Sequence, residues 1–563
     1  MRRAGIVALS LTVALTGCSS VDVSTVDTGP QPKLGPHFGG TLVELSTTNS
    51  GSADPQVNYT PAFWSLQTIT YDGLTAYDKL GPNAGQHVVG DLATGVPRPT
   101  DGGTKWSFVL RDGIRFSDGS PLRPADVKAS FERIFKVHGP TASTLYGSIA
   151  GADKCLDKPQ NCDLSQGIAI SGRTITFTLT GPDPEFAQKL ALPHAAILPA
   201  GTPATDQGTD VSKLHGTGPY YWASYEPTDA VVLKRNPYFH QWSAPAQPLG
   251  YPDQIVQKYG LEPTDEVTAV VNGQGDLVVD QLPGDRLPDL GARYRSRVHL
   301  DQQGVDWYWA LNTRIPPFNN VKARQAVNLA FDRNAGVIHF GGPALASPSC
   351  QILPPGIPGY QPYCPWTAHA GDGRGRWKGT DLARARRLVA ESGTAGQSVG
   401  VVPANDPMQV AMAEYLQTVL TQLGYRATVK PLDAALQYPY IQNSGNRVQV
   451  GLTQWYQDYP AASNFLRVLL SCGAFTPNSD SSPNIGGFCD PRADQAMDVA
   501  SRLEATDPKA ADAAWAGVDR TVTDQAPWIS MFAPKTLGFV SKRLGNYTYS
   551  AQFGFLASRA WVW

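Results

Sequence analysis

The segment from Lys105 to Arg133 has the clearest pattern of apolar and polar positions in this chain. Apolar side chains alternate along KWSFVL, which predicts a strand with one buried face. Two Asp-Gly pairs, at 112–113 and 118–119, predict tight turns because glycine adopts positive φ and Asp hydrogen-bonds its own backbone. Pro124 then opens a helix with one apolar face. We predict strand, turn, strand, turn and helix, a β-hairpin followed by a helix.

A second pattern, between residues 398 and 429, predicts a strand–helix–strand unit. Residues 398–402 form a short apolar strand. Asp406 is placed to cap a helix that has Pro407 at its first position, and Gly424 is placed to end it. Residues 425–429 then return as a strand. A unit of this kind is typical of a mixed sheet covered by helices.

The N-terminus has the pattern of an export signal. Two arginines precede an apolar run at residues 6–15 that is too short to span a bilayer as a permanent helix. Leu15-Thr16-Gly17-Cys18 resembles a lipobox. We predict a signal peptide at 1–17, a lipid on Cys18 and a flexible tether at 18–38. The predicted lipid carries two acyl chains, which anchor a protein stably in a membrane. The alternative is an ordinary signal peptide with a coincidental cysteine.

Composition limits the classes of protein. The chain has 563 residues, of which 42% are hydrophobic, enough for more than one domain and a large core. A formal net charge of −2 argues against a nucleic-acid partner. Beyond the signal there is no apolar run of transmembrane length, so any channel must be a separate protein.

Six cysteines follow Cys18 in the sequence. They form three close pairs in an exported chain, which folds in an oxidising space. Sequence alone does not select among the possible connectivities. Nearest-neighbour pairing closes only short loops and is our prediction: Cys155-Cys162, Cys350-Cys364 and Cys472-Cys489. A zinc site is the alternative, but no Cys-x-x-Cys spacing is present.

The first segment contains Trp-x-Phe-x-Leu-Arg-x-Gly-x-x-Phe-x-Asp-Gly, followed by Asp126-Val127. This string resembles the extracellular solute-binding proteins of peptide and nickel ABC importers, the dipeptide/oligopeptide-binding lipoprotein type. The resemblance covers residues 39 to 563. Other stretches resemble the same family in the same order: Asp54-Pro55, Tyr71-Asp72-Gly73-Leu74, Gly216-Thr217-Gly218-Pro219-Tyr220, Lys234-Arg235-Asn236-Pro237-Tyr238, and Leu311-Asn312 through Asp332-Arg333.

The resemblance implies an α/β, two-lobed periplasmic-binding-protein-like fold with mixed sheets, a hinge between the lobes and an extra subdomain in lobe I. Such lobes close over a ligand by hinge motion, and the ligand must contact the closed state better than the open one. The hinge strands would lie near Asp306 and Ala526. The implied boundaries are 39–305 for lobe I, 76–210 for its extra subdomain, 306–527 for lobe II and 528–563 for a return to lobe I.

The resemblance also implies a ligand site around Asp458. In peptide-binding members of the family an Asp at this position pairs with the free α-amine of the ligand, and a buried ammonium needs such a partner because an unpaired buried charge is expensive. A second acidic residue often follows the Pro, but this chain has Ala461, which weakens the peptide assignment. The alternative role for Asp458 is a helix cap or a surface turn.

Backbone from Gln454, Trp455 and Tyr456 would hold an extended ligand as an added strand. The family uses a second short segment across the cleft. Its matching positions here are Thr60, Pro61 and Ala62. Four aromatic residues are candidate walls of the site, although each is also of a type common in cores: Trp455, Tyr456, Tyr459 and Tyr59.

Together these observations predict a lipid-anchored receptor, on the extracytoplasmic face of the cell membrane, that binds short peptides and passes them to the permease subunits of an ABC importer. We expect a monomer that uses no cofactor, no metal and no nucleic acid. Open alternatives keep the fold but bind a sugar, opine, metal complex, haem or antibiotic-like solute, or sense peptides. An exported hydrolase is disfavoured, because the Gly-x-Ser-x-Gly, His-Glu-x-x-His and Walker motifs are absent.

Overall fold

The computed structural model describes residues 37–48, 51–81, 84–370, 375–504 and 506–563. The predicted signal peptide, the lipidation at Cys18 and the tether up to residue 36 lie outside the described residues. The last two tether positions contact the folded body. His37 stacks on Trp561 with ring centroids 4.7 Å apart, and Phe38 lies 5.3 Å from the ring of Tyr251.

The strands of the described residues are numbered in chain order. They are β1 Thr41–Leu45, β2 Thr75–Tyr77, β3 Val88–Gly90, β4 Lys105–Val109, β5 Ile168–Ser171, β6 Thr174–Thr178, β7 Tyr220–Glu226, β8 Ala230–Arg235, β9 Gln254–Lys258, β10 Leu277–Val278, β11 Val298–Gln302, β12 Val305–Leu311, β13 Ala346–Pro348, β14 Ser398–Val402, β15 Arg426–Val429, β16 Val450–Tyr456, β17 Trp528–Val540, β18 Leu544–Gly545, β19 Tyr549–Ser550, β20 Gly554–Phe555 and β21 Trp561–Val562.

The α-helices are numbered in the same way. They are α1 Pro61–Gln67, α2 Pro124–Lys136, α3 Ala142–Tyr146, α4 Ala152–Asp157, α5 Phe186–Lys189, α6 Pro263–Val271, α7 Leu287–Arg293, α8 Val321–Ala330, α9 Arg333–Phe340, α10 Leu382–Ser392, α11 Pro407–Gln422, α12 Ala434–Gln442, α13 Ser463–Leu470, α14 Pro491–Glu504 and α15 Pro508–Asp524.

One mixed sheet runs through the molecule. Its strand order is β15-β14-β16-β12-β17-β10-β1-β9-β8-β7, and β11 and β13 also pair with β17. Parallel pairs, such as β1 with β9 and β14 with β15, stand beside antiparallel ones such as β12 with β16. Buried apolar clusters pack against both halves of the sheet. The predicted α/β class with mixed sheets is present.

The 13-residue strand β17 joins the two halves of this sheet. Its first part pairs with β12 and β13, through residues 528–534, and its second part pairs with β11 and β10, through residues 535–540. The chain passes between the two halves of the sheet a second time between Gln302, the last residue of β11, and Val305, the first residue of β12. The predicted hinge at Asp306 lies beside this crossing, and Ala526 lies two residues before β17. The lobe boundaries stay predictions.

The segment that begins at Lys105 folds differently from the predicted hairpin. β4 pairs antiparallel with β6, which lies far along the chain, and α2 begins at Pro124 as predicted. The predicted second strand is wrong: only an isolated bridge joins Arg115 and Pro121. Aromatic packing explains the distant partner, because Phe108 in β4 meets Phe177 in β6 with ring centroids 6.0 Å apart. The two Asp-Gly turns are present, and both glycines have positive φ.

The strand–helix–strand unit is confirmed. β14, α11 and β15 follow one another, and the two strands are parallel. Asp406 accepts a hydrogen bond at Oδ1 from the backbone N–H of Gln409, 3.0 Å away, so it caps α11 as predicted. Gly424 has a φ of 91°, a left-handed conformation that favours glycine after a helix.

All three predicted disulfides are present: Cys155–Cys162, Cys350–Cys364 and Cys472–Cys489. Each closes a loop of 7 to 17 residues. Within the described ranges, no helix combines the length and the apolar character that crossing a bilayer requires.

Candidate ligand-binding site

A cavity of about 340 Å³ lies where the end of β16 faces the start of α1. Four parts of the chain line it: the segment before and within α1, the loop after β14 with the first turn of α11, the helix α12, and the end of β16 with the residues after it. The lining residues are Tyr59, Trp64, Ala404, Gln409, Ala434, Gln437, Tyr438, Leu452, Thr453, Gln454, Trp455, Tyr456, Gln457 and Asp458.

The topology explains why the cavity forms here. β14 and β16 are parallel neighbours, with Val401 opposite Val450. The carboxyl ends of parallel strands meet at one edge of a sheet, and ligands in open α/β sheets bind outside that edge. The loop that contains Ala404 leaves β14 at this edge, and Asp458 follows β16 at the same edge. The sheet therefore brings these two segments to one cavity.

The end of β16 has one open side. β12 pairs with β16 along its whole length, from Val450 to Tyr456, whereas β14 pairs only with Val450 and Gly451. Among the described residues no strand continues β14 beside positions 453–456. An extended ligand would therefore find an unpaired strand edge that lines the cavity.

The side chains and backbone around β16 show which residues face this open edge. Gln437 donates from Nε2 to the carbonyl of Leu452 on the β14 side, at 2.9 Å. The N–H of Gln457 donates to the carbonyl of Gly304 on the β12 side, at 2.9 Å. Backbone groups alternate sides along a strand, so Gln454 and Tyr456 direct their N–H and C=O groups to the open edge.

Asp458 is held in a fixed orientation. Asn464, on α13, donates from Nδ2 to Asp458 Oδ2 at 2.9 Å and accepts from the Asp458 backbone N–H at 2.9 Å. Tyr59 donates its hydroxyl to Asp458 Oδ1. Gln552 donates from Nε2 to the carbonyl of Asp458 at 2.6 Å. Asp458 is therefore neither a helix cap nor a free surface turn: its carboxylate faces the cavity and contacts Tyr59 from across it.

Electrostatics favour a cationic partner for this carboxylate. Burial raises the pKa of Asp458, and the hydrogen bonds from Tyr59 and Asn464 lower it only in part. Burial and then the charge of Asp458 raise the pKa of Tyr59, so the phenol remains a hydrogen-bond donor. An ammonium group beside Asp458 would compensate the desolvated negative charge. The hydrogen bond from the Tyr59 hydroxyl to Asp458 could then break, or persist beside the ammonium group.

Ligand affinity should therefore depend on pH. A carboxyl whose pKa is raised in the free protein is ionised only above that pKa, and an ammonium ligand needs the ionised form. We expect affinity for an amine ligand to fall as the pH drops through the raised pKa of Asp458, at pH values above the ordinary Asp pKa of about 4. Calorimetric titration at a series of pH values tests this, and an affinity that stays constant down to the ordinary pKa would contradict it.

A buried ion pair holds the segment that carries Tyr59. Arg133 on α2 binds Asp54 through both terminal nitrogens, at 3.0 and 2.5 Å, and also contacts Gln56 Oε1 at 2.8 Å. Both members of the pair are almost fully buried. Further along, His194 Nε2 contacts the carbonyl of Asn58 at 2.9 Å. These contacts fix residues 54–58 and so place the Tyr59 ring at the cavity.

The structure brings five of the predicted side chains to this cavity: Asp458, Gln454, Trp455, Tyr456 and Tyr59. Tyr59 and Tyr456 have 45% and 46% of their surface exposed, which leaves their rings available to a ligand. Thr60 precedes α1 directly, and Pro61 and Ala62 are its first two residues. The backbone is therefore helical from Pro61 on, and contact of Thr60, Pro61 and Ala62 with a ligand stays a prediction.

Tyr459 lies in a different place. Its ring is buried, its hydroxyl is 3.2 Å from Glu185 Oε2, and it lines a second, larger cavity between α5 and α13. Ser463 also donates to Glu185. Ala461 is buried in the apolar cluster around β4 and β6, so an acidic residue there would have to lose its hydration.

Sequence reasoning missed several lining residues. Trp64 and Tyr438 are aromatic residues on helices, a pattern that resembles ordinary core packing. Gln409 and Gln437 come from elements far from Asp458 in sequence. The position of the loop that contains Ala404 was a signal available from the sequence. This loop follows the carboxyl end of a predicted parallel strand, and ligand sites form at that end of such strands. Among the described residues no group of three or more His, Cys, Asp and Glu side chains is arranged to hold a metal ion.

Comparison with known proteins gives one family match. The family model described as bacterial extracellular solute-binding proteins, family 5 Middle, matches residues 87–477. The chain is also 24% identical over 494 residues to the glutathione-binding protein GsiB of Salmonella typhi, a match that covers 86% of this chain and 87% of that protein.

Solved structures share the whole fold. The clavulanic acid biosynthesis oligopeptide binding protein 2 superposes with a TM-score of 0.83 and 25% identity, over 94% of this chain and 96% of that one. The periplasmic binding protein DppA from Helicobacter pylori, solved in complex with the peptide STSA, superposes with a TM-score of 0.70 and 20% identity, over 94% and 99%. The predicted two-lobed periplasmic-binding-protein fold is confirmed.

Proposed function

This chain belongs to the bacterial extracellular solute-binding proteins of family 5, and on that premise we propose that it is a receptor for short peptides. The peptide lies between the two lobes, with its free α-amine on Asp458, and the receptor delivers it to the permease subunits of an ABC importer. The role is one of binding, with no covalent step.

The observation that carries the proposal is the position of Asp458 at the end of an open strand edge. The carboxylate faces the cavity, and Gln454 and Tyr456 direct backbone groups that pair with no strand of the described residues to the same side. A peptide added as a strand would place backbone against backbone and its amino end near the carboxylate. Hydrogen bonds to the peptide backbone do not depend on the side chains of the peptide, so the site should bind peptides of many sequences.

Aromatic residues support the same ligand class. Five aromatic residues line the cavity: Tyr59, Trp64, Tyr438, Trp455 and Tyr456. Rigid aromatic walls bury apolar area at a low cost in side-chain entropy and accept side chains of different shape. The names of similar proteins agree: one is an oligopeptide-binding protein, one was solved with a peptide, and one binds glutathione.

Membrane attachment completes the proposal. Lipid on Cys18, with the predicted tether behind it, would hold a monomer on the extracytoplasmic face of the cell membrane, close to its permease. The alternative concerns the step after binding. Instead of delivering the peptide to a permease, the protein would act as a peptide sensor, and the complex with the ligand would be the same.

Blocking the amine of the ligand should abolish most binding. An N-acetylated peptide keeps every backbone group but lacks the ammonium, so Asp458 would stay buried without a cation. We expect its affinity to be lower than that of the free peptide by about 30-fold or more, since a buried charged partner typically contributes about 2 kcal/mol or more. Titration of the pair H-Ala-Phe-Ala-Ala-OH and Ac-Ala-Phe-Ala-Ala-OH tests this. Equal affinities would rule out the amine anchor.

A further inference from the structure

The cavity has one charged side chain, Asp458, among the described residues that line it. The other lining residues are neutral: four glutamines, one threonine, five aromatic residues, two alanines and one leucine. No lysine, arginine or histidine is among them. The cavity is therefore equipped to bind a cation and has no basic group for an anion.

We propose that this site recognises only the amino end of its ligand, and that the ligand class is peptides whose carboxyl terminus lies outside the cavity or is neutral. This inference rests on the function proposed above and narrows it. Free dipeptides, which carry their carboxylate close to the amine, are poor ligands. Longer peptides and carboxyl-amidated peptides are good ones.

Two physical effects exclude a carboxylate from the cavity. A carboxylate that leaves water needs charged or multiple hydrogen-bond donors, and guanidinium or ammonium partners are the strongest of these. Only neutral donors are available here, and the Gln437 amide already donates to the carbonyls of Val402 and Leu452, at 3.1 and 2.9 Å. The fixed charge of Asp458 also repels a second negative charge held close to it.

The size of the cavity agrees with partial enclosure. At about 340 Å³ it lies near the lower end of the range for small-molecule sites, about 300–1,000 Å³. A peptide whose amine lies at Asp458 pairs with Tyr456 first and with Gln454 next, and a cavity of this volume does not enclose the residues that follow. Its carboxyl end then keeps its hydration.

Four probe peptides test the inference by titration calorimetry: H-Ala-Phe-OH, H-Ala-Phe-NH₂, H-Ala-Phe-Ala-Ala-OH and H-Ala-Phe-Ala-Ala-NH₂. We expect the dipeptide amide to bind at least about tenfold more tightly than the dipeptide acid, because only the acid must place an unpaired charge in the cavity. The two tetrapeptides should agree within about threefold, since their carboxyl ends remain in water.

A gain-of-function variant provides the matched control. Gln409→Lys places an ammonium group at the cavity wall, and it should improve binding of the dipeptide acid while leaving the amide unimproved. Gln422→Lys adds the same charge to the exposed end of the same helix and should change neither. If Gln409→Lys fails to fold, the affinities of wild type for the four probe peptides still test the inference.

The outcomes separate the two proposals. If the dipeptide acid or the tetrapeptide acid binds about tenfold more tightly than its amide, the protein recognises a carboxylate. That result would overturn this inference, but the proposed function as a peptide receptor would stand. Equal affinity of dipeptide acid and amide would overturn it too. If none of the four probes binds, the proposed function fails and the inference falls with it.

Discussion

Replacing Asp458 by Asn should weaken binding of a free-amine peptide by about 30-fold to 5,000-fold, because truncating one partner of a buried charge pair costs about 2–5 kcal/mol. The substitution keeps the shape of the side chain and removes its charge. The single amide oxygen can accept from Tyr59 or from Asn464 Nδ2, so the variant loses one of these two hydrogen bonds. Calorimetric titration of wild type and variant with H-Ala-Phe-Ala-Ala-OH measures the effect.

Two controls make the result specific. Glu414→Gln removes one negative charge from an exposed position on α11 and should leave affinity unchanged. The N-acetylated peptide should bind Asp458→Asn at least as well as it binds wild type, because only the wild-type complex leaves a buried carboxylate without a cation. This double comparison isolates the interaction between amine and carboxylate. If Asp458→Asn binds the free peptide as well as wild type does, Asp458 does not bind the amine.

Replacing Arg133 by Met should lower the free energy of unfolding by about 3–5 kcal/mol, the usual cost of leaving one member of a buried ion pair without its partner. Arg133 is 5% exposed and Asp54 is fully buried. The variant leaves Asp54 with fewer hydrogen bonds and loosens the segment that leads to Tyr59. Denaturant unfolding, followed by fluorescence and circular dichroism, measures the change. Peptide affinity should fall as well.

The matched control is Arg173→Met. Arg173 lies 3.8 Å from Asp112, but the two side chains are 55% and 88% exposed. Water screens such a pair, so its loss should cost less than about 1 kcal/mol. If Arg133→Met and Arg173→Met lower the free energy of unfolding equally, the buried pair does not stabilise the fold as described.

Local features of the fold could be predicted from sequence, and distant pairings could not. The unit from β14 to β15 is marked by its own cap and by Gly424, and both signals lie within the unit. Alternation correctly predicts β4 as a strand, but its partner is β6, which is more than 60 residues away. Alternation shows that a strand has a buried face, and it does not show which strand lies beside it. The predicted hairpin is wrong for that reason.

The site shows the same division. Asp458 and the strand before it could be found because they lie together in one segment. Tyr59 could be found because it directly precedes Thr60, Pro61 and Ala62, the positions that match the family's second segment. Trp64, Gln409 and Tyr438 reach the cavity only through the topology of the sheet, so their spacing in sequence carries no signal. Tyr459 follows Asp458 directly, yet its ring is buried beside Glu185, where the residues after β16 turn into the neighbouring core.

Mass spectrometry of the small molecules released when the purified, anchor-free protein is denatured would test the peptide-receptor assignment. We expect a mixed set of short peptides with free α-amines, predominantly longer than two residues, at close to one molecule per protein. A single non-peptide mass, such as a sugar, an opine or a metal complex, would contradict the assignment and leave Asp458 with another role.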